Sequence, residues 1–140
     1  MKKWITTAVL ALATLAPVAQ AGGGAADIDA KTPVISVPEL KKAVDQKAAT
    51  VIDANGTKMY DEGHVPGAIS FARNEGKLAN LLPKDKSAPI VCYCGSTMCS
   101  AWEAAATEAS KLGYTNIKHL KVGIKGWKEA GMPTESAGKS

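Results

Sequence analysis

The feature that most constrains the fold is an alternation along the chain. Short apolar runs take turns with stretches whose apolar residues recur at helical spacing. Val34-Ile35, Thr50-Val51-Ile52, Ala68-Ile69-Ser70-Phe71, Pro89-Ile90-Val91-Cys92-Tyr93 and Ile117 to Leu120 read as strands. The run ending at Asp53 is β-branched and uninterrupted, as in a strand buried on both faces. Between these runs, Ser36-Val37-Pro38-Glu39 reads as a helix start. Ser36 can cap, Glu39 can reach back, and Pro38 suits the first turn. Val37, Leu40 and Val44 continue that helix to about Gln46. Lys58 to Glu62 makes one helical turn closed by Gly63, and Gly76 to Leu82 a weak helix ended by Pro83. Ser100 to Leu112 is the strongest helix, rich in alanine and stopped by Gly113. Ile124 to Ala130 is the last, stopped by Gly131 and Pro133. Strands and helices in alternation predict an α/β domain around a mainly parallel sheet, because parallel strands need crossovers.

In such sheets ligands sit beyond the carboxyl ends of the strands, often at a helix N-terminus. The stretch Val91-Cys92-Tyr93-Cys94-Gly95-Ser96-Thr97-Met98-Cys99-Ser100 occupies that place and holds all 3 cysteines of the chain. Cys94 is the first residue after a strand and precedes the best helix. Backbone N–H groups there favour negative charge, which makes a thiol a better nucleophile. Gly95 and Ser96 keep the loop small enough to wrap the sulfur in amides. Cys92 lies two residues earlier, on the strand, where a cysteine is expected to be an inert apolar residue.

What a cysteine does also depends on its compartment. The chain opens with a basic head at Lys2 and Lys3, an apolar run from Ala8 to Leu15, and a small-x-small site at Ala19-Gln20-Ala21. That pattern predicts a secretory signal peptide over residues 1–21, cleaved after Ala21. Gly22 follows the cut, so no lipid anchor on a cysteine is expected. No later segment is apolar for long enough to cross a bilayer. The mature protein is therefore expected to be exported, to the periplasm or outside the cell, where disulfides persist. Gly22 to about Thr32 and Glu135 to Ser140 read as flexible tails flanking one domain over 33–134. The net charge of +4 includes Lys2 and Lys3, and aromatic residues make up only 5%. That argues against nucleic acid as a partner.

At this point the residues resemble a known family. Asp53, then Gly63-His64-Val65-Pro66-Gly67-Ala68-Ile69, is similar to the D…G-H-I/V-P-G-A signature of rhodanese-like domains. Ile90 to Cys94 resembles the strand leading to their catalytic cysteine. Ser100-Ala101, Ala104-Ala105-Ala106 and Leu112-Gly113-Tyr114 resemble the helix that follows. Leu120, Gly123-Ile124, Trp127 and Gly131-Met132-Pro133 resemble their closing segment. The resemblance implies a five-stranded parallel sheet with helices on both faces. It also implies a sulfurtransferase, needing no cofactor, that accepts sulfane sulfur from a small donor (thiosulfate, a persulfide or a polysulfide). The sulfur is held as a persulfide and passed to a thiol or cyanide. On this reading Cys94 is the nucleophile, and the amides of Gly95, Ser96, Thr97, Met98, Cys99 and Ser100 hold the persulfide. Phosphatases that share the fold use C-x5-R, but Ser100 stands in the arginine slot, so the fork needed to clamp phosphate is missing.

The departures from the family pattern are informative. Many active members carry C-x-x-G-x-R-S, whereas here Thr97 fills the glycine slot and Cys99 the arginine slot. The frequent D-V-R reads Asp53-Ala54-Asn55, and the late glycine pair reads Val122-Gly123. With no arginine in the loop, thiosulfate is expected to be a poor donor, unless Lys121 or Lys125 supplies charge. Cys99 allows three readings. It resolves a Cys94 persulfide, it pairs with Cys94 as a redox centre or an inactivating lock, or it only packs at the helix start. An inactive binding module for a partner protein is a further alternative. Zinc is disfavoured because one cluster does not supply four ligands. Copper(I) on Cys94, Met98 and Cys99 is chemically sensible but lacks a second supporting cluster.

Asp53 ends a strand on the same edge as Cys94 and is expected to anchor a loop by hydrogen bonds. His64, in the turn before Pro66, is expected to be structural. His119 is expected to face solvent, Trp102 to be half-buried beside the loop, and Trp127 to pack under the sheet. Lys41-Lys42 and Lys84-Asp85-Lys86 read as solvated surface.

Overall fold

The computed structural model describes residues 25–137. The expected signal peptide, 1–21, and the last residues, 138–140, lie outside the described residues. In chain order the elements are α1 (Ala25–Lys31), α2 (Val37–Asp45), β1 (Thr50–Asp53), α3 (Thr57–Glu62), β2 (Ile69–Ser70), α4 (Phe71–Asn74), β3 (Ile90–Tyr93), α5 (Trp102–Lys111), β4 (Ile117–His119) and α6 (Gly123–Glu129). The four strands form one sheet in the order β2-β1-β3-β4, and every pairing is parallel.

The fifth strand implied by the resemblance is reduced to a single parallel bridge, Val34 to His119. Ile35 donates to the His119 carbonyl at 3.0 Å, and His119 donates to the Pro33 carbonyl at 2.8 Å. Toward the N-terminus the ladder stops because Pro33 has no N–H. Toward the C-terminus the chain leaves the sheet for α2, and the Ser36 N–H donates to Glu39 Oε2 at 2.9 Å. That bond is half of the expected capping box, which is present in full at the start of α2.

β1 and β3 are buried on both faces, so the sheet carries two cores. Ile52, Ile90, Cys92 and Cys94 pack with Phe71, Trp102 and the alanine face of α5. Val51, Val91, Tyr93, Ile124 and Trp127 pack with Leu40 on the other side. Both sides follow from the two-residue repeat of the strands. Trp127 is fully buried, as expected, and its Nε1 donates to the Pro133 carbonyl at 2.7 Å.

Three segments depart from the sequence reading. The 22–32 tail contains α1, which lies against α5 and packs Ile28 onto the core. The expected C-terminal tail begins with an ordered residue. Glu135 makes an antiparallel bridge with His64, and its Oε2 accepts the Gly67 N–H at 3.0 Å. Both segments look polar or flexible in isolation and are ordered only by partners distant in sequence. Finally, Phe71 turns out of the strand into α4, and the weak helix at 76–82 shrinks to a 3-10 turn, Leu78–Asn80. Gly76 has φ +73°, which breaks a helix. Glu108 on α5 takes the Gly76 and Leu78 N–H groups at 2.9 and 3.1 Å.

Candidate active site

Cys94 is the first residue beyond β3, at the carboxyl edge of the sheet, and is 1% exposed. The loop after it, residues 95–101, leads to the start of α5 at Trp102. Cys99 lies on that loop, partly buried against the core, and is joined to Cys94 by a disulfide. The two Cα atoms are 6.2 Å apart, within the range a disulfide spans. Of the readings open for Cys99, simple packing is therefore superseded. Both sulfurs are committed to each other and neither is a thiolate, so the copper(I) set is not assembled here. Met98, its third member, is 92% exposed. Among the described residues no three His, Cys, Asp or Glu side chains converge on a metal position.

The loop is held from behind by α6. Ile124 N–H donates to the Cys94 carbonyl at 2.9 Å, and Lys125 N–H to the Gly95 carbonyl at 3.0 Å. This approach requires Gly123. Its φ is +63°, and a Cβ there would stand 2.6 Å from the Cys94 oxygen. The surviving glycine of the expected pair is thus the one the geometry needs, and Val122 is tolerated in the other slot. Lys125 is brought beside the loop by its backbone, while its Nζ lies 3.9 Å from Glu129. Lys121 is exposed on the turn before α6.

The six loop amides do not all surround the sulfur in this state. Cys99 N–H donates to the Ser96 carbonyl at 3.1 Å, and Met98 N–H reaches Ser96 Oγ at 3.4 Å. Those two are turned inward on the loop. A groove of about 710 Å³ runs along α5 from Leu112 to Ser100 and so meets the end of the loop.

Next to the loop stands a paired network. Asp53, fully buried, accepts the Tyr93 hydroxyl at 2.6 Å on Oδ2 and the Asn55 N–H at 2.7 Å on Oδ1. The Tyr93 hydroxyl in turn accepts the Val65 N–H at 3.0 Å. Burial raises the Asp53 pKa, against the pull of those hydrogen bonds. Burial and the Asp53 charge both raise that of Tyr93. Asp53 thus does the anchoring expected of it, joining β1, β3 and the turn at Val65. His64 is buried, stacks on Tyr60 with centroids 3.7 Å apart, and its Nδ1 lies 2.8 Å from the Tyr60 carbonyl. Its Nε2 is 3.9 Å from Glu135. These contacts make it part of the turn.

The expectation for His119 is overturned. It is 6% exposed and stacks on Trp102 with ring centroids 3.6 Å apart. Its register partner is Cys92, so its side chain points to the α5 face rather than to solvent. Burial pushes its pKa down to about 4. Trp102, expected to be half-buried, is fully buried by the same stack. Cys92 is buried as expected, and burial pushes its thiol up to about 12, which leaves it unreactive.

The residue the sequence reading overlooked is Asn55, noted only as a lost arginine. It is 6% exposed and lies against Gly95, since a Cβ on Gly95 would stand 3.5 Å from its Oδ1. The parallel pairing of Asp53 with Tyr93 brings the residues beyond each strand together, and that pairing was not visible in the sequence.

A profile of the rhodanese-like domain matches residues 36–130. The chain belongs to the rhodanese-like domain family. Its sheet, with Cys94 at the carboxyl end of a central strand, is the rhodanese fold in a four-stranded form. This rhodanese-like domain is 28% identical over 108 residues to the uncharacterized protein YibN of Escherichia coli (strain K12), covering 76% of this chain and 74% of that protein. Among solved structures it resembles the BH2092 protein of Bacillus halodurans (TM-score 0.65, 23% identity, 78% of this chain and 80% of that one). It also resembles a thiosulfate sulfurtransferase of Pseudomonas aeruginosa (TM-score 0.65, 22% identity), covering 80% of this chain but 22% of that longer one. At these identities the structural likeness establishes the fold of the rhodanese-like domain and leaves its reaction to be argued from the site.

Proposed function

We propose that this is a sulfurtransferase of an oxidising compartment, with Cys94 as the sulfur-accepting nucleophile and Cys99 as its resolving partner. The observation that carries the reading is the Cys94–Cys99 disulfide, in a rhodanese-like domain, at the loop that follows the central strand. In the reduced protein the Cys94 thiolate attacks the outer sulfur of a persulfide donor. A Cys94 persulfide forms and the donor leaves as a thiolate. A thiol or cyanide acceptor then takes the terminal sulfur, restoring Cys94. Alternatively the Cys99 thiolate attacks Cys94 Sγ, hydrosulfide leaves, and the disulfide closes. A dithiol reductant reopens it by two successive exchanges and is itself oxidised to a disulfide. The absence of arginine from 94–100 favours a singly charged persulfide over the thiosulfate dianion. Export by the leader at 1–21 fits this chemistry, because a disulfide persists outside the reducing cytosol.

Taken without the family, the disulfide also fits a second reading, a thiol–disulfide protein that carries no sulfur. Mass spectrometry of the reduced protein, exposed briefly to thiosulfate or to a persulfide donor, separates the two. One added sulfur on Cys94, removable by cyanide and longer-lived in Cys99→Ser, is the expected result. Loss of two hydrogens between Cys94 and Cys99, with no sulfur caught even in Cys99→Ser, would replace it with the redox reading.

A further inference from the structure

The disulfide joins two sulfurs that differ in access. Cys94 is 1% exposed and packs in the core with Ile52, Ala54 and Trp102, so no thiolate from outside reaches its sulfur. Cys99 is only partly buried, and the groove along α5 meets the loop at Ser100, the next residue. Thiol–disulfide exchange needs a thiolate in contact with the sulfur it attacks. Access therefore decides which half of this disulfide is attacked.

Attack on Cys99 has a direction. The incoming thiolate bonds to Cys99 Sγ, the Sγ–Sγ bond breaks, and its electron pair leaves on the Cys94 sulfur. Cys94 is thus freed first, while the reductant stays attached to Cys99. The freed Cys94 thiolate stands beside the new bond and can attack Cys99 Sγ again, expelling the reductant. That return is intramolecular and therefore fast, so a monothiol adduct mostly reverts. A dithiol carries its own second thiolate, which is intramolecular as well. It attacks the reductant's first sulfur and expels the Cys99 thiolate. The reductant departs as a disulfide, and both cysteines are left reduced.

The surface around the loop suits a protein that carries such a dithiol. Among the described residues five large apolar side chains are exposed, and three of them, Met59, Met98 and Val122, belong to the loop or border it. Met98 precedes Cys99. Met59 Sδ lies 3.9 Å from where a Gly95 Cβ would stand, and Val122 leads into Gly123, which abuts the backbone of Cys94 and Gly95. Exposed apolar groups gathered in one place mark a contact surface, and methionine adapts its shape to a partner. We propose that the Cys94–Cys99 disulfide is opened through Cys99 by a dithiol protein that docks on Met59, Met98 and Val122. The inference deepens the sulfurtransferase reading. It rests on the pair being redox-active, and not on the sulfur that passes through it.

The test uses thioredoxin as the dithiol protein. The oxidised protein is mixed with excess thioredoxin whose second cysteine is replaced by serine, then quenched with acid and digested. Fragmentation of the peptide holding Cys94 and Cys99 locates the adduct. The expected place is Cys99, with Cys94 free, and an adduct on Cys94 would overturn the proposal. Docking is read from rates. Intact thioredoxin is expected to open the disulfide faster than dithiothreitol at equal thiol concentration. The ratio of the two rates is expected to fall about tenfold in Met98→Gln. Met98 is exposed, so the substitution leaves the fold in place. A ratio that Met98→Gln does not change, or a thioredoxin no faster than dithiothreitol, would remove the docking protein. Sulfur uptake is measured separately. A protein that takes up no sulfur yet gives the Cys99 adduct defeats the sulfurtransferase reading and keeps this inference. Sulfur uptake with the adduct on Cys94 does the reverse.

Discussion

The carboxyl edge of the sheet has two halves, built on opposite principles. Around β1 and β2, every group of the Asp53–Tyr93–Val65 network has its partner, and His64 and Glu135 close the turn beside it. Around the end of β3, the loop is held by two amides from α6 and one disulfide. The first half is saturated and therefore rigid, since opening it would strand a buried carboxyl. The second has interactions that can be exchanged. A reactive sulfur needs such a neighbourhood, but only if the other half fixes where it stands.

The sharpest way to break the comparison is at the sulfurs. Cys94→Ser is expected to abolish persulfide formation, while Cys99→Ser prolongs it and prevents the disulfide. Intact-mass measurement after exposure to a persulfide donor checks both. If Cys94→Ser still acquires sulfur, the exchangeable half of the edge is not where chemistry occurs. Next comes the loop's support from α6. Gly123→Ala forces a Cβ onto the Cys94 carbonyl and a non-glycine residue into positive φ. About 3 kcal/mol of lost stability, with slower re-formation of the disulfide, is the expected outcome. Chemical denaturation and thiol trapping read the two effects.

Tyr93→Phe tests the saturated half. It leaves Asp53 without its hydroxyl donor and the Val65 N–H without an acceptor, so about 2 kcal/mol should be lost. Cys94 alkylation in the reduced variant should change little. A larger change would mean that the halves are coupled.

The smallest effect concerns pH. His119 has a folded pKa of about 4, below its ordinary 6.5, so the unfolded chain binds its proton first. Its neutral form contributes stability that is fully present above about pH 6.5 and is lost as pH falls toward 4, on the order of 2 kcal/mol. Asp53 acts in the opposite sense. Its raised pKa lets the folded state hold a proton that the unfolded chain has already released, which offsets part of the loss at the acid end. Urea unfolding of the unaltered protein and His119→Gln across pH 4–7 isolates the histidine, and the acid slope should flatten in the variant.

Much of this was legible in the residues because it is local. The capping box at Ser36 and Glu39, the buried runs of β1 and β3, and the placement of Cys94 between a strand and a helix all follow from spacing and side-chain type. So does the inert character of Cys92, since a cysteine within an uninterrupted apolar strand has no donor to lower its pKa. The sequence also marked Cys99 as the departure that mattered, because it stands where an arginine was expected.

What only the tertiary structure decided are matters of which distant residue arrives where. His119, a polar residue in a strand candidate, was expected to face solvent, and its burial depends on Trp102 lying over it. The fifth strand was lost because Pro33 has no N–H to give on one side of the single bridge and the chain enters α2 on the other. Glu135 and α1 are ordered by partners far along the chain. Asn55 is the clearest case. As a letter it was a missing charge, and only the parallel register of β1 and β3 sets it against Gly95 of the cysteine loop. Local chemistry determined which residue types are present. Strand pairing, which joins residues some forty positions apart, decided which of them share the site.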